Sequence, residues 1–178
     1  MPWGLKRFQQ SHQLHFLTFS CYGRRANFVN DRSYSYFECA LERVRRSYGM
    51  CLYGYVVMPE HVHLLVSEPD VRTLADAMHR WKVSSSKRLR AFRPANELGR
   101  PFWEKRSYDR NVRDYEEFGE KLNYIHNNPV KRGLCSRPED WPWSSCRHYL
   151  TGEHGSIEIE SEWTARARER ARVIASPG

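Results

Sequence analysis

Long apolar runs are missing from this sequence of 178 residues. None of its apolar stretches approaches the roughly 20 residues that a transmembrane helix needs, so a protein anchored by such a helix is excluded on length. The first residues, MPWGLKRFQQSHQ, also lack the continuous apolar segment of a secretory signal. We therefore expect a cytoplasmic protein that has no membrane partner.

Paired cysteines are missing as well. The chain has five cysteines, which is an odd number, and no two of them form a CxxC motif. They are scattered at Cys21, Cys39, Cys51, Cys135 and Cys146. This spacing excludes a disulfide framework and a zinc knuckle, and it favours reduced thiols.

Positive charge, by contrast, is abundant. Lys and Arg number 29 against 21 Asp and Glu, which gives a net charge of +8 and a pI of about 9.4. Such an excess favours polyanionic partners, of which nucleic acid is the commonest.

Length and composition predict one folded domain followed by an extension. Hydrophobic residues make up 40% of the chain, and a domain of about 150 residues buries roughly 68–70% of the surface that its unfolded chain exposes. Near residue 150 the sequence turns polar, and it ends in the basic stretch TARARERARVIASPG. We expect a domain over 1–150 and a partly disordered, polar and basic extension over 151–178, with a short helix near 164–172.

The periodicity of apolar residues predicts the element order β-α-β-β-α-β-α. Strands are expected over 13–22, 50–58, 61–66 and 102–112, the second and third forming a hairpin. Helices are expected over 33–48, 73–92 and 113–128, the second weakened by three consecutive serines and the third stopped by Pro129. This order predicts an α+β protein with a ferredoxin-like (RRM-like) antiparallel sheet and helices packed on one face.

The stretch VVMPEHVHLLVSEP, residues 56–69, places two histidines inside an apolar run. His61 and His63 share one face of the predicted strand, because residues two apart point the same way, while Val62 and Leu64 can face the core. Two edge histidines that merely hydrogen-bond to neighbours would give the same pattern. A metal site would need a third ligand.

The third predicted helix, in KLNYIHNNPVKRG, offers one. Tyr124 and Asn128 are four residues apart and therefore neighbours on one helical face, with the tyrosine a possible nucleophile and the carboxamide an oxygen donor. His126 is a rival ligand, but it points elsewhere. Two imidazoles and a carboxamide oxygen suit Mg²⁺ or Mn²⁺ and differ from a closed zinc site. A structural role for Tyr124 remains open, since the chain has ten tyrosines.

Together, MPEHVHLLV and the later YIHNNPVKRGL resemble the HUH superfamily (His–hydrophobic–His) in its single-tyrosine branch. Within that branch they are most similar to the REP-associated tyrosine transposases, where REP stands for repetitive extragenic palindrome. The resemblance covers about residues 13–150, and the two motifs in this order are specific, whereas either alone would be weak.

The resemblance implies that His61 and His63 are paired metal ligands. It further implies that Asn128 is the third ligand and Tyr124 the nucleophile of a metal-dependent endonuclease and transposase. Such an enzyme cleaves and rejoins single-stranded DNA at hairpin sites of the REP type through a 5′-phosphotyrosine intermediate. The family often has Asn before the first histidine. This chain has Glu60 there, which we expect to contact a metal ligand or to add negative charge beside the metal.

Basic residues in the first loop, the second predicted helix and the later motifs are expected to hold the DNA. They are Arg24, Arg25, Arg80, Lys82, Lys87, Arg88, Arg106, Arg110, Lys131 and Arg132. Positive grooves that bind single strands also present aromatic rings for stacking, and Trp81, Trp103 and Tyr108 are the candidates. The charge run could equally be a solvated helix face. We expect Trp141 and Trp143 to close the core.

Two other functions stay open from the sequence alone. One is a module that binds hairpin or single-stranded DNA without cleaving it. The other is a metal-dependent nuclease in which water attacks and Tyr124 is structural. A monomer and a homodimer are both compatible with the sequence.

Overall fold

The computed structural model describes residues 13–175, which form a four-stranded antiparallel sheet with helices. The strands are β1 (Leu14–Ser20), β2 (Leu52–Val57), β3 (His61–Val66) and β4 (Tyr108–Val112). The helices are α1 (Asp31–Tyr48), α2 (Leu74–Ala91), α3 (Tyr115–Lys131), α4 (Cys146–Thr151) and α5 (Glu162–Ala175). The strand order β2-β3-β1-β4 confirms the expected α+β, ferredoxin-like sheet. Within the described part of the chain, no helix could cross a membrane.

The alternation of β3 divides the core between two faces of the sheet. Val62 and Leu64 point into the larger cluster, which α1 and α2 cover. Leu65 points into a second cluster, where Ile125 of α3 packs against Phe16 and neighbouring apolar residues. Helices therefore cover both faces rather than the one face expected, because the face that carries the histidines also has apolar side chains to bury.

The ends of α1 are fixed by two residues that the sequence displays. The Asn30 side chain accepts a hydrogen bond from the Ser33 amide at the start of α1, and Gly49 ends this helix at φ 64°. A Cβ at Gly49 would lie 2.6 Å from Asp70 Oδ2, so only glycine fits. The three serines do not interrupt α2, since Ser84 and Ser85 donate to the Trp81 carbonyl within a continuous helix.

Helix α3 runs through Pro129, which was expected to stop it. Proline removes one amide donor, the one that would bond to the carbonyl four residues earlier. The loss falls in the last turn, and the amide bond that ends the helix, from Arg132 N to Asn128 O at 3.1 Å, is still made. Asn128 thus remains helical and keeps its place one turn after Tyr124.

Strand β4 is shorter than the expected 102–112, because the first part of that segment enters the core. Trp103 forms an isolated bridge with Cys21 and is 6% exposed. Trp81, at 0% exposed, packs beside it with ring centroids 5.2 Å apart. The prediction that these two tryptophans stack on bases is therefore wrong. Trp141 and Trp143 pack against the core, as expected.

The segment after Thr151 contributes to the same core. Ile157 and Ile159 are buried in the larger cluster, and α5 contains the short helix expected near 164–172. Arg168 of α5 pairs with Glu158 and with Glu160 at 2.6 and 2.8 Å. A domain boundary near residue 150 stays a prediction, and residues 176–178 of the expected extension lie outside the described part.

A buried histidine of β1 contacts one residue of β4 and one residue just after β3. His15 of β1 is 0% exposed; its Nδ1 lies 2.7 Å from Asp109 Oδ1 in β4, and its Nε2 lies 3.2 Å from Glu68 Oε1 just after β3. Burial alone would lower the pKa of His15, but the hydrogen bonds and negative charges of Asp109 and Glu68 outweigh it and raise the pKa above 6.5.

Candidate active site

The register of β1 and β3 builds a polar cavity on the face covered by α3. Thr18 lies directly opposite His63, and Ser20 opposite His61. The cavity has a volume of about 440 Å³. Its lining comes from β1, β3, α3 and the adjoining loops: Thr18, Ser20, Arg24, Glu60, His61, His63, Tyr124, Asn128 and Arg132.

His63 is held in the wall of this cavity by two β1 side chains. Thr18 Oγ1 lies 2.8 Å from His63 Nδ1, and the Phe16 ring stacks on the imidazole with centroids 5.3 Å apart. Burial, with further contributions from His61 and Lys121, lowers the pKa of His63 to about 3. The other ring nitrogen, Nε2, is buried without a hydrogen-bond partner. A neutral imidazole with a free nitrogen is what a metal ion binds.

His61 lies beside it, with the two ring centroids 4.6 Å apart. Its Nδ1 is 3.3 Å from Glu60 Oε1, and Arg132 forms an ion pair with the same Glu60 carboxylate. Burial lowers the pKa of His61, although the neighbouring Glu60 opposes this shift. Each histidine therefore has a partner at Nδ1, which leaves its Nε2 available to a ligand.

Asn128 of α3 lines the same cavity. It is 6% exposed, and its side-chain Oδ1 is buried without a hydrogen-bond partner. Over residues 13–175, no three His, Cys, Asp or Glu side chains are grouped to hold a metal ion, and the carboxamide of Asn128 is the third ligand that the sequence predicts. Two imidazoles and one carboxamide oxygen fit a divalent cation such as Mg²⁺ or Mn²⁺.

Tyr124 reaches the cavity from α3 and is 40% exposed. Its ring meets His63 edge-on at 5.2 Å and Phe16 at 6.0 Å, and Lys131 Nζ lies 5.6 Å from its centroid. The spacing of four residues thus brings Tyr124 and Asn128 together as predicted. The rival ligand His126 points away and lies 2.8 Å from Ser145 Oγ.

The basic residues predicted to bind DNA differ in their positions and in their partners. Arg24 and Arg132 line the cavity, and the exposed members outside it include Arg80, Lys87, Arg88 and Arg106. Others have partners within the protein: Arg25 pairs with Glu97, Arg110 with Glu117, and Lys82 donates to the Glu104 carbonyl.

Thr18 was missed by sequence reasoning. It contacts a proposed metal ligand that is 45 positions away along the chain. Only the register of β1 against β3 brings the two together, so no local motif could have indicated it.

Comparisons with known proteins show the family and the fold. The family model described as "Transposase IS200 like" matches residues 8–128. The chain is 26% identical over 130 residues to the REP-associated tyrosine transposase of Escherichia coli strain K12. The matched region covers 73% of this chain and 74% of that protein. A solved structure of a REP-associated tyrosine transposase bound to a REP hairpin has the same fold, with a TM-score of 0.68 and 21% identity over 89% of this chain and 92% of that one.

Proposed function

The chain belongs to the family of IS200-like transposases, and from this premise we propose that it is a metal-dependent enzyme that cleaves and rejoins single-stranded DNA at hairpin sites. The observation that carries the proposal is the pair of unpartnered buried atoms, His63 Nε2 and Asn128 Oδ1, in the cavity that Tyr124 also lines. Buried polar atoms without partners are rare in folded proteins, and a bound ion is one of the partners that satisfies such atoms.

His61, His63 and Asn128 are the residues that would hold the cation. Burial lowers the pKa of both imidazoles, so each keeps a lone pair for a ligand near neutral pH. A bound Mg²⁺ or Mn²⁺ would polarise a phosphodiester oxygen and offset the negative charge that develops on the phosphate.

Tyr124 is the proposed nucleophile. Its hydroxyl oxygen attacks the scissile phosphorus and loses its proton as the new P–O bond forms. The bond from phosphorus to O3′ breaks, and the departing oxygen takes up a proton to become a 3′-hydroxyl. The product is a 5′-phosphotyrosine. Attack on it by another 3′-hydroxyl reverses the step and rejoins the strands without ATP.

The proposed substrate is a DNA hairpin with a single-stranded flank. Arg24 adds positive charge to the cavity, which Arg132 lines in an ion pair with Glu60, and the net charge of +8 favours a polyanion. The related transposase of known structure is bound to a REP hairpin, which makes palindromes the substrates to test first. We propose that the protein acts in the cytoplasm, as a monomer or a homodimer.

The test is a cleavage assay on single-stranded hairpins from palindromes that flank the protein's own gene, with Mg²⁺ or Mn²⁺. Products are separated on a denaturing protein gel. We expect a slow-migrating, protease-sensitive band that requires the metal and is absent in Tyr124→Phe. Tyr115→Phe is the matched control, because Tyr115 is an exposed tyrosine of the same helix outside the cavity. Cleavage that survives in Tyr124→Phe without such a band would make the protein a nuclease that uses water. Tight binding without cleavage would favour a binding module.

A further inference from the structure

Part of the sheet face beside the cavity is left open by α3, which packs mainly over β2 and β3. Tyr108 of β4 projects onto this open part and is 39% exposed. In the strand register it lies directly opposite Thr18, the residue that contacts His63. An exposed aromatic side chain is therefore separated from the proposed metal ligands of β3 by a single strand, β1.

A row of rings connects Tyr108 to the nucleophile. Its ring meets Phe16 edge-on at 6.5 Å, and Phe16 in turn contacts both His63 and Tyr124. Lys121 of α3 adds a cation to the row, because its Nζ lies 5.1 Å from the Phe16 centroid.

These features match what a single strand of nucleic acid requires of a protein surface. Such strands are held by aromatic rings on which bases stack and by cations that meet the phosphates. In RRM-like sheets the stacking rings stand on the sheet face itself. With Trp81 and Trp103 buried in the core, Tyr108 is the member of the predicted stacking set that solvent can reach.

We propose that Tyr108 and Lys121 form a binding site, called the seat below, for the nucleotide next to the scissile phosphate. The base of this nucleotide stacks on the Tyr108 ring, and its phosphate meets the Lys121 ammonium. The seat rests on the proposed function, since it places the single-stranded flank of the substrate along β4 and leads its backbone to Tyr124. Stacking is tolerant of sequence, so the seat fixes the path of the strand rather than the identity of the base.

The test measures DNA binding without cleavage, in the Tyr124→Phe protein and in the presence of EDTA. Fluorescence anisotropy gives Kd for two probes, oligothymidine and the flanked hairpins described above. We expect Tyr108→Ala to raise Kd about tenfold and Tyr108→Phe to stay within about twofold of the parent, because it keeps the ring. Tyr115→Ala is the control, since Tyr115 is 88% exposed and lies outside the seat.

A scan of abasic positions along the flank then locates the base. At one position, removing the base should weaken DNA binding by the parent protein. The same abasic DNA should bind Tyr108→Ala no more weakly than the intact DNA does. Lys121→Met should reduce the slope of log K against log salt by about 0.7, the contribution of one single-strand phosphate. Unchanged binding in Tyr108→Ala, or abasic effects that add to it at every position, would overturn the seat.

Cleavage by the unmodified chain, measured in parallel, separates the two proposals. If the unmodified chain cleaves DNA and Tyr108→Ala binds it as tightly as the parent, the mechanism is supported and the seat is contradicted. If Tyr108→Ala weakens DNA binding but the unmodified chain never cleaves DNA, the seat is supported as a binding site and the mechanism is contradicted. A protein that binds neither probe contradicts both.

Discussion

Thr18 Oγ1 lies 2.8 Å from His63 Nδ1, across the paired strands β1 and β3. With its hydrogen on Nδ1, the imidazole donates to the threonine and turns the lone pair of Nε2 toward the cavity. Glu60 occupies the equivalent position at Nδ1 of His61, 3.3 Å away. Partners of this kind fix the tautomer and the orientation of histidines that bind metals.

Replacing Thr18 with valine keeps the shape of the side chain and removes the hydrogen-bond acceptor. We expect Mn²⁺ affinity, measured by calorimetry, to fall about 10–100-fold, the usual effect of losing such a partner. Thr151→Val, at the exposed end of α4, should bind Mn²⁺ like the parent. Equal affinity in Thr18→Val would show that His63 does not depend on this contact.

Replacing Glu60 with glutamine removes a negative charge beside His61 and leaves its ion-pair partner Arg132 uncompensated. We expect Mn²⁺ affinity to fall about tenfold, and the double variant Glu60→Gln/Arg132→Gln to recover part of the loss. Glu97→Gln serves as the control, because it removes the ion pair of Arg25 outside the cavity. Affinity that is unchanged or higher in Glu60→Gln would contradict a supporting role for this carboxylate.

The buried His15 should make the free energy of unfolding depend on pH above neutrality. Its folded-state pKa is raised above 6.5, so its contribution is complete below pH 6.5 and is lost as pH rises through the folded value. Urea unfolding should show His15→Gln less stable than the parent by about 3 kcal/mol at pH 6, with the difference narrowing toward pH 9. Asp109→Asn should flatten the same slope. If the free energies of unfolding of the parent and of His15→Gln differ by the same amount from pH 6 to pH 9, the titration of His15 does not contribute to the pH dependence of stability.

Trp81 should act on stability, since it is fully buried and packs 5.0 Å from the Phe37 ring and 5.4 Å from Phe19. We expect Trp81→Ala to lower the free energy of unfolding by about 3–5 kcal/mol. The half-exposed Tyr108→Ala should change it by about 0.5 kcal/mol or less. A stable Trp81→Ala protein that has lost only DNA binding would restore the stacking role first expected for this tryptophan.

The parts of the fold that could be predicted are those with local signals. The alternation of HVHLLV sets β3 at the residues expected, and Gly49 marks the end of α1, whereas this helix begins at Asp31, two residues before the expected start. Pro129 misled because proline is costly inside a helix but loses only one bond in the last turn. The chemistry of a single residue does not tell how many turns follow it.

The site was predictable where spacing alone determines which side chains meet. A spacing of two in a strand pairs His61 with His63, and a spacing of four in a helix pairs Tyr124 with Asn128. The packing of α3 against the sheet then brings the two pairs around one cavity. The resemblance to the REP-associated tyrosine transposases, which joined the two motifs, is confirmed. The chemical roles of these four residues stay predictions. Thr18 was not predicted because its contact with His63 depends on strand register, which no local pattern encodes.

The most direct test of the proposed mechanism is mass spectrometry of the covalent adduct. The parent is incubated with a flanked hairpin and Mn²⁺, treated with nuclease and trypsin, and searched for a nucleotide attached to the peptide LNYIHNNPVK, residues 122–131. The account predicts a 5′-phosphodiester on Tyr124 that is absent without the metal and absent in Tyr124→Phe. Cleaved DNA without any modified peptide, or the nucleotide on a different residue, would contradict it.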